Sequence, residues 1–210
     1  MNQEEQFDIF DDQMNKIGTA ARREVHAHGL WHQTFQCWIV SELFGDKWLL
    51  FQMRHPDKDT FPSLLDISCA GHLLAGEKVE DGVRELEEEL GLAVTFDSLI
   101  PCGLYREEQF IAADKTDREL CHVFVLREDK PLHEYRLQED EVTGLYRIAL
   151  NDVNRLARGE GQLVIQAAGV EPDKNGVLQP VERTFTYSDF VPHGAAYYEL
   201  VLRGVEKLEG

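Results

Sequence analysis

Cysteine is scarce in this chain, and no two cysteines lie close together in the sequence. The four residues, Cys37, Cys69, Cys102 and Cys121, lie singly among apolar residues, and no CxxC pattern occurs. Disulfides and a cysteine-bound structural zinc ion are therefore disfavoured. We expect four buried free thiols, because an unpaired cysteine packs as a small apolar side chain.

Long apolar runs and targeting signals are also missing from the sequence. No run reaches the roughly 18 apolar residues of a membrane-spanning helix, and the polar start MNQEEQFDIFDD lacks the basic and apolar segments of a secretory signal. Basic residues are few, 21 Lys and Arg against 39 Asp and Glu, and the net charge of −18 would repel nucleic-acid backbones. We expect a cytoplasmic protein without a nucleic-acid or membrane partner.

The residues that are present predict one mixed domain over 1–210. Its 43% of apolar residues are enough to bury a single core. Strand-length apolar runs recur at residues 35–40, 48–53, 64–68, 120–126 and 142–148. Helical spacing occurs at residues 79–90, 150–158 and 194–208. This order predicts an α/β or α+β fold in which helices cover a mixed β-sheet.

The two ends of the chain read as extensions of this domain. Residues 1–34 are interpreted as an N-terminal strand extension, and residues 160–210 as a C-terminal hairpin and helix. The Gly- and Pro-containing stretch 169–180 is predicted to be a surface hairpin or loop. The helix at 194–208 has an apolar face that can dock on the domain or on a second subunit, so a homodimer is an open alternative.

The helix predicted at 79–90 has two distinct faces. Its apolar residues recur at helical spacing and form one stripe: Val79, Val83, Leu86 and Leu90. Glu85, Glu88 and Glu89 fall together on another side, and like charges at these spacings each destabilise a bare helix by about 0.2–0.5 kcal/mol. Carboxylates that share a face attract a hard divalent cation such as Mg²⁺. The alternative is a solvated acidic face, which is common in a chain of this charge.

The surrounding segment, GHLLAGEKVEDGVRELEEELGL, resembles the Nudix box. The residue types fixed in that motif are supplied here by Gly71, Glu77, Arg84, Glu85, Leu86, Glu88, Glu89, Gly91 and Leu92. One departure occurs, because six residues rather than seven separate Glu77 from Arg84. The missing residue falls in the loop or first turn, so we expect the metal-binding end of the helix to be preserved, whereas the orienting role of Glu77 is left open.

The Nudix resemblance implies a mixed sheet between helices, dependence on Mg²⁺ or Mn²⁺, and attack of water on a diphosphate. It also implies that Glu85, Glu88 and Glu89 bind the metal, that Gly71 is a further ligand beside them, and that Arg84 forms an orienting ion pair with an acidic loop residue.

Such hydrolysis also needs a carboxylate that accepts a proton from water. The segment LQEDEV offers Glu139, Asp140 and Glu141, of which Glu141 is the candidate, and an ordinary acidic turn is the alternative.

A second resemblance covers most of the first ninety residues. The segments FDIFDDQMNKIGTAARREVHAHGLWHQTF, RHPDKDTFPSLLD and ISCAGH resemble the Nudix relatives of type I isopentenyl-diphosphate isomerase. Those isomerases bind a divalent metal with three histidines and two carboxylates, and the corresponding positions are His26, His32, His72, Asp117 and Glu119. The resemblance further implies diphosphate binding by Arg22, Arg54 and Lys58. The alternatives are ordinary polar histidines and solvated surface charges.

The cysteine that transfers protons in the isomerases is replaced in this chain. It immediately precedes the Gly-His pair of that motif, where this chain has Ala70. Cys69 lies one residue earlier, and a one-residue shift in a strand turns a side chain to the opposite face. We therefore predict a diphosphate hydrolase, with isopentenyl-diphosphate isomerase and a non-catalytic diphosphate-binding protein as alternatives.

The group attached to the diphosphate is left open by the sequence. Sugar nucleotides, dinucleotides, coenzyme derivatives and prenyl diphosphates all remain candidates. Trp31, Trp38, Trp48 or Phe61 could stack on a base or hold a prenyl chain, although packing in the core is the favoured interpretation of these aromatic residues.

Overall fold

The fold is described by a computed structural model that covers residues 4–43, 45–112 and 115–209. The first three residues of the predicted N-terminal extension and the last residue of the C-terminal one lie outside these ranges. The strands are β1 (Gln6–Phe10), β2 (Lys16–Ala21), β3 (His32–Leu43), β4 (Asp46–Arg54), β5 (Leu65–Asp66), β6 (Cys69–His72), β7 (Ile100–Ala112), β8 (Lys115–Arg127), β9 (Val142–Ala149), β10 (Val164–Pro172) and β11 (Leu178–Thr186). The α-helices are α1 (Arg22–His28), α2 (Arg84–Leu90), α3 (Leu150–Ala157) and α4 (Ala195–Glu206).

A mixed sheet forms the centre of the domain, as predicted. Its strand order is β11-β10-β9-β4-β3-β8-β7, with β5 paired to β4 and β6 paired to β3. The pairing of β3 with β8 is parallel, and the other pairs of this sheet are antiparallel. β1 and β2 form a separate hairpin. Each of the five predicted strand runs overlaps a strand, so the α+β sheet architecture is confirmed.

Helices cover both faces of the sheet because β3 alternates its apolar side chains between them. Phe35, Cys37 and Ile39 point into the core that contains α2, whereas Trp38 and Val40 point into the core that contains α3 and α4. Such alternation is the sequence pattern of a strand buried on both sides. The predicted sandwich of a sheet between helices is therefore present.

The helix predicted at 79–90 begins in a tighter form than expected. Val79–Val83 is a 3₁₀-helix, and α2 follows from Arg84. A 3₁₀-helix rises about 2.0 Å per residue instead of about 1.5 Å, so it spans the same length with fewer residues, which suits the shortened loop. The apolar stripe is confirmed, since Leu86 and Leu90 are fully buried. The helix ends where predicted, at Gly91 with a φ of 63°.

The C-terminal part of the chain adds a hairpin and a docked helix. β10 and β11 pair through the stretch 169–180, and Pro180 is tolerated because β11 ends the strand order of the sheet. α4 buries Tyr197, Val201 and Val205 against its own sheet, and a homodimer stays a prediction. Among the described residues, no helix is both long and apolar enough to cross a membrane.

The four cysteines are free thiols. Cys37, Cys69 and Cys121 are buried, as expected. The expectation is wrong for Cys102, which is half-buried because it lies on β7, the last strand at the other end of the sheet.

Candidate active site

Three carboxylates of α2 line one cavity of about 250 Å³. Glu85 and Glu89 are only 9% and 5% exposed, and Glu88 lies at the rim with its side chain 52% exposed. Burial raises the pKa of Glu85 to about 7. Burial and the neighbouring charge of Glu85 raise the pKa of Glu89 to about 8. Two crowded and poorly hydrated carboxylates of this kind favour the binding of a cation.

Gly71 allows α2 to approach β6 closely enough to place Glu85. A Cβ atom at Gly71 would lie 2.1 Å from Cδ of Glu85 and 2.2 Å from its Oε1, a separation that real atoms do not adopt. Gly71 therefore leaves room for the first carboxylate of the helix, and its role as a metal ligand stays a prediction. Any larger residue at this position would displace that carboxylate.

Arg84 joins the carboxylates of Glu77, Glu85 and Glu88 into one network. It donates hydrogen bonds to Glu77 at 3.0 and 3.2 Å, to Oε1 of Glu85 at 2.7 Å and to Oε2 of Glu88 at 3.1 Å. It also donates to the carbonyl oxygen of His72 at 3.1 Å. Glu77 in turn accepts from the backbone N–H of Leu74 at 2.7 Å. The Arg84–Glu77 pair is thus present although the loop between them is one residue short.

Three histidines from separate elements meet beside this network. His26 comes from α1, His32 from the start of β3 and His72 from the end of β6, and their ligand atoms lie within 4.8 Å of one another. Nε2 of His26 and of His32 each lie 3.9 Å from Oδ1 of Asp117. Glu119 is the register partner of His32 in the parallel β3–β8 pair. The structure therefore brings together all five predicted ligands of the second metal site.

The donor atoms of this cluster fit a metal ion. Within the described part of the chain, Nε2 of His32, Nε2 of His72 and Oδ1 of Asp117 are buried without a hydrogen-bond partner. Burial lowers the pKa of both histidines, so their rings are neutral, which is the form that binds metals. Burial, with the charges of Asp117 and Glu107, raises the pKa of Glu119 to about 8. A divalent cation would satisfy these atoms together.

The three predicted basic residues also line the cavity, each beside a carboxylate. Arg22 pairs with Glu5 at 2.7 Å. Arg54 pairs with Asp66 at 2.7 Å and donates to the carbonyl oxygen of Thr60 at 2.9 and 3.1 Å.

Lys58 pairs with Glu141. The candidate base Glu141 thus lines the cavity, whereas Glu139 and Asp140 are exposed to solvent.

Ala70, at the position of the isomerase cysteine, and its neighbour Cys69 face opposite sides of the sheet. Ala70 lines the cavity, and Cys69 is fully buried in the core beneath α2. Burial raises the pKa of the Cys69 thiol well above its usual value, which disfavours the reactive thiolate. The predicted shift of the thiol to the opposite face is therefore present.

Several cavity residues were not predicted from the sequence. Thr34, Gln36, Asp66, Glu107, Gln109 and His193 also line the cavity. His193 and Asp66 are separated by 127 positions in the chain, so no local spacing signals their contact. Of the four aromatic candidates, Trp31 and Trp38 are buried, and Phe61 lines the cavity with a φ of 47°, a conformation that is rare for a large side chain.

A sheet between helices, with carboxylates of one short helix lining a polar cavity, defines an α+β protein with a candidate site at that helix. The chain belongs to the Nudix family, since the NUDIX domain matches residues 32–166. It is 41% identical over 203 residues to an uncharacterised Nudix hydrolase of Clostridium acetobutylicum, covering 97% of this chain and 98% of that protein.

Other relatives share parts of the chain. An isopentenyl-diphosphate Delta-isomerase of Mycolicibacterium vanbaalenii is 35% identical over 138 residues, which are 64% of this chain and 71% of the isomerase. A solved structure from Deinococcus radiodurans superposes with a TM-score of 0.56 at 20% identity, covering 74% of this chain and 90% of that one, and it shows likeness of fold alone. The relatives thus include a Nudix hydrolase over 97% of this chain and an isomerase over 64% of it.

Proposed function

We propose that this protein is a divalent-metal-dependent hydrolase that cleaves the diphosphate bond of a nucleoside diphosphate-linked or other organic diphosphate. The observation that carries the proposal is the pair of buried carboxylates, Glu85 and Glu89, that line one cavity with Glu88 at its rim. Buried carboxylates without a cation are costly, and hard cations with a diphosphate are their natural partners. The family supports hydrolase chemistry, and the small-molecule diphosphate is our inference.

In this proposal, Glu85, Glu88, Glu89 and the carbonyl oxygen of Gly71 would hold Mg²⁺ or Mn²⁺. When bound, the ion neutralises diphosphate charge and lowers the pKa of a water molecule. Arg84 keeps Glu85 and Glu88 in place by its hydrogen bonds, and so fixes the direction of their free lone pairs.

Glu141 acts from the other side of the cavity. It accepts the proton of the attacking water, and its ion pair with Lys58 holds its carboxylate at the cavity. When substrate enters, the Lys58 ammonium is available to phosphate oxygens, as are the guanidinium groups of Arg22 and Arg54.

We further propose that the histidine cluster is a second divalent-metal site. His26, His32 and His72 with Asp117 and Glu119 offer three imidazoles and two carboxylates, a donor set that suits a transition metal better than Mg²⁺. Phe7 supports it, since its ring stacks on His72 at 4.6 Å and on His32 at 5.5 Å. A cation bound by these residues would add a second positive charge at the same cavity.

This five-residue set favours the isomerase as a second candidate function, because a similar set is implied by the isomerase resemblance. Ala70 argues against it. Isomerisation of an allylic double bond needs an acid and a base on opposite sides of the carbon skeleton, and the methyl group of Ala70 can transfer no proton. Cys69 is fully buried beneath α2, and burial raises the pKa of its thiol well above its usual value, which disfavours proton transfer by Cys69 in place of the missing residue.

The test is the release of phosphate-containing products from nucleoside, dinucleotide and prenyl diphosphates in the presence of Mg²⁺ or Mn²⁺. Glu88→Gln and Glu89→Gln should lower turnover at least about 100-fold if they hold the metal. Glu87→Gln is the matched control, because Glu87 is exposed on the same helix and should change turnover less than about twofold. Isomerised isopentenyl diphosphate without hydrolysis would establish the isomerase, and binding without turnover would establish a binding protein.

A further inference from the structure

One wall of the cavity is built from side chains that the proposed hydrolysis does not use. Glu107 and Gln109 project from β7, and His193 lies in the segment that precedes α4. Glu107 and Gln109 lie within the matched domain at 32–166, whereas His193 comes from the C-terminal part of the chain outside it.

His193 is held between two carboxylates. Its Nε2 lies 2.8 Å from Oδ1 of Asp66 and its Nδ1 lies 3.2 Å from Oε1 of Glu107, while the ring stacks on Tyr197 at 4.6 Å. Burial alone would lower the pKa of His193, but the hydrogen bonds and charges of Asp66 and Glu107 outweigh it and raise the pKa to about 10. The ring is therefore a cation that donates from both nitrogens and fixes the carboxylate of Glu107.

Glu107 has a second donor on its own strand. Nε2 of Gln109 donates to Oε1 of Glu107 at 2.9 Å, and the Glu107 side chain is 12% exposed. The hydrogen bonds from Gln109 and from His193 both end on Oε1 of Glu107. A carboxylate held by two donors in a cavity is pre-organised as an acceptor for a further hydrogen bond from a ligand.

The apolar part of the cavity wall is small. It consists of Phe61, Ile67, Ala70 and Val191, of which Ile67 and Val191 are only 1% and 3% exposed. A hydrocarbon chain in this cavity would remove water from Glu107 without replacing its hydrogen bonds, which is unfavourable. A hydroxyl group of a ligand would instead donate a charge-assisted hydrogen bond to the same carboxylate.

We propose that Glu107, oriented by His193 and Gln109, is a specificity-determining residue that accepts a hydrogen bond from a hydroxylated, sugar-like group attached to the diphosphate. The substrate class is then a sugar- or ribose-bearing diphosphate and not a prenyl diphosphate. This inference rests on the proposed hydrolase function, and it adds the chemistry of the group beside the diphosphate.

The experiment compares hydrolysis of uridine diphosphate glucose and ADP-ribose with that of dimethylallyl diphosphate in the presence of Mg²⁺. At least one hydroxylated compound should have a kcat/KM at least tenfold above that of the prenyl compound. Glu107→Gln should raise its KM roughly tenfold and leave kcat within about threefold, since uniform binding is lost. His193→Gln should raise the same KM, because it releases Glu107.

Glu199→Gln is the control, because Glu199 lies on α4 with its side chain 65% exposed, and it should leave KM unchanged. The inference is overturned if dimethylallyl diphosphate is hydrolysed equally well or better, or if Glu107→Gln leaves KM unchanged. It is also overturned if Glu107→Gln lowers kcat for every compound alike, because Glu107 would then serve the neighbouring Glu119 and Cys121 cluster.

If no compound is hydrolysed, the proposed function fails and calorimetric binding of the same compounds decides this inference separately. Tighter binding of a hydroxylated compound that is weakened by Glu107→Gln supports it. Tighter binding of dimethylallyl diphosphate, or binding of neither class, overturns it.

Discussion

At the scale of single residues, the lack of a Cβ atom at Gly71 allows the Glu85 carboxylate to lie against β6. We expect Gly71→Ala to lower turnover at least about 100-fold, because its Cβ would occupy the place of the Glu85 carboxylate. Overpacking of this kind also costs about 1–3 kcal/mol of stability. Steady-state hydrolysis and urea unfolding measure the two effects.

Gly161→Ala is the control for that substitution. Nothing lies within 4 Å of a Cβ built at Gly161, so its turnover should equal that of the native protein. Native turnover in Gly71→Ala would show that the close approach of β6 to Glu85 has no role in the reaction.

His193 gives a second prediction at this scale, on the pH dependence of stability. Its pKa is raised to about 10 in the folded chain from about 6.5 when unfolded. The stabilisation from protonated His193 is therefore fully present below about pH 6.5 and is lost as the pH rises toward 10. The free energy of unfolding of the native protein, minus that of His193→Gln, should fall by up to about 1.4 kcal/mol per pH unit over this window.

Urea unfolding between pH 6 and pH 10 measures the free energy of unfolding of the native protein and of His193→Gln. Taking their difference removes the contributions of Glu85, Glu89 and Glu119, whose pKa values are also raised. A constant difference would show that His193 is not the protonated partner of Asp66 and Glu107.

At the scale of secondary structure, α2 is held by a small buried face. Leu86→Ala should destabilise the protein by about 2–5 kcal/mol, because Leu86 is fully buried and its removal leaves a cavity. Glu87→Ala, on the exposed side of the same helix, should change stability by less than about 0.5 kcal/mol. The denaturant concentrations at the unfolding midpoints of Leu86→Ala and Glu87→Ala measure this difference. A similar loss of stability in both variants would mean that α2 does not depend on its core contacts.

The sequence predicts α2 better than the elements around it. Helical spacing identifies its apolar stripe and its acidic face, and Gly91 identifies its end. The 3₁₀-helix before it and α1, which carries Arg22 and His26, were not predicted. The apolar stripe of α2 continues back through the 3₁₀-helix to Val79, so its spacing is visible, although the change of helix type is not. α1 buries only Val25, and one buried residue forms no periodic pattern.

At the scale of the whole molecule, bound metal should link distant elements and stabilise the fold. A ligand present at 100 times its dissociation constant adds about 2.7 kcal/mol, so Mn²⁺ should raise the melting temperature and a chelator should lower it. His72→Ala should reduce this rise, because His72 joins the histidine cluster. His133→Ala is the control, since His133 is exposed and outside the cavity. An equal rise in both variants would exclude a histidine metal site.

Long-range contacts set the limit of what the sequence could predict. The acidic motif is local, and the resemblance to known isomerases pointed to the histidine cluster, yet the wall formed by Asp66, Glu107 and His193 was missed. Its members are 86 and 127 positions apart along the chain. His193 reaches Asp66 because the segment before α4 bonds to β5, where the N–H of Val191 donates to the carbonyl oxygen of Leu65. Local periodicity carries no information about such a contact.

The central claim, that water attacks a diphosphate in this cavity, is tested most directly by turnover in water enriched in ¹⁸O, with Mg²⁺ or Mn²⁺ and the diphosphate panel. The account predicts one heavy oxygen in a phosphate-containing product per turnover, and loss of this incorporation in Glu89→Gln but not in Glu87→Gln. Products without heavy oxygen, or an intact diphosphate with a shifted double bond, would contradict it.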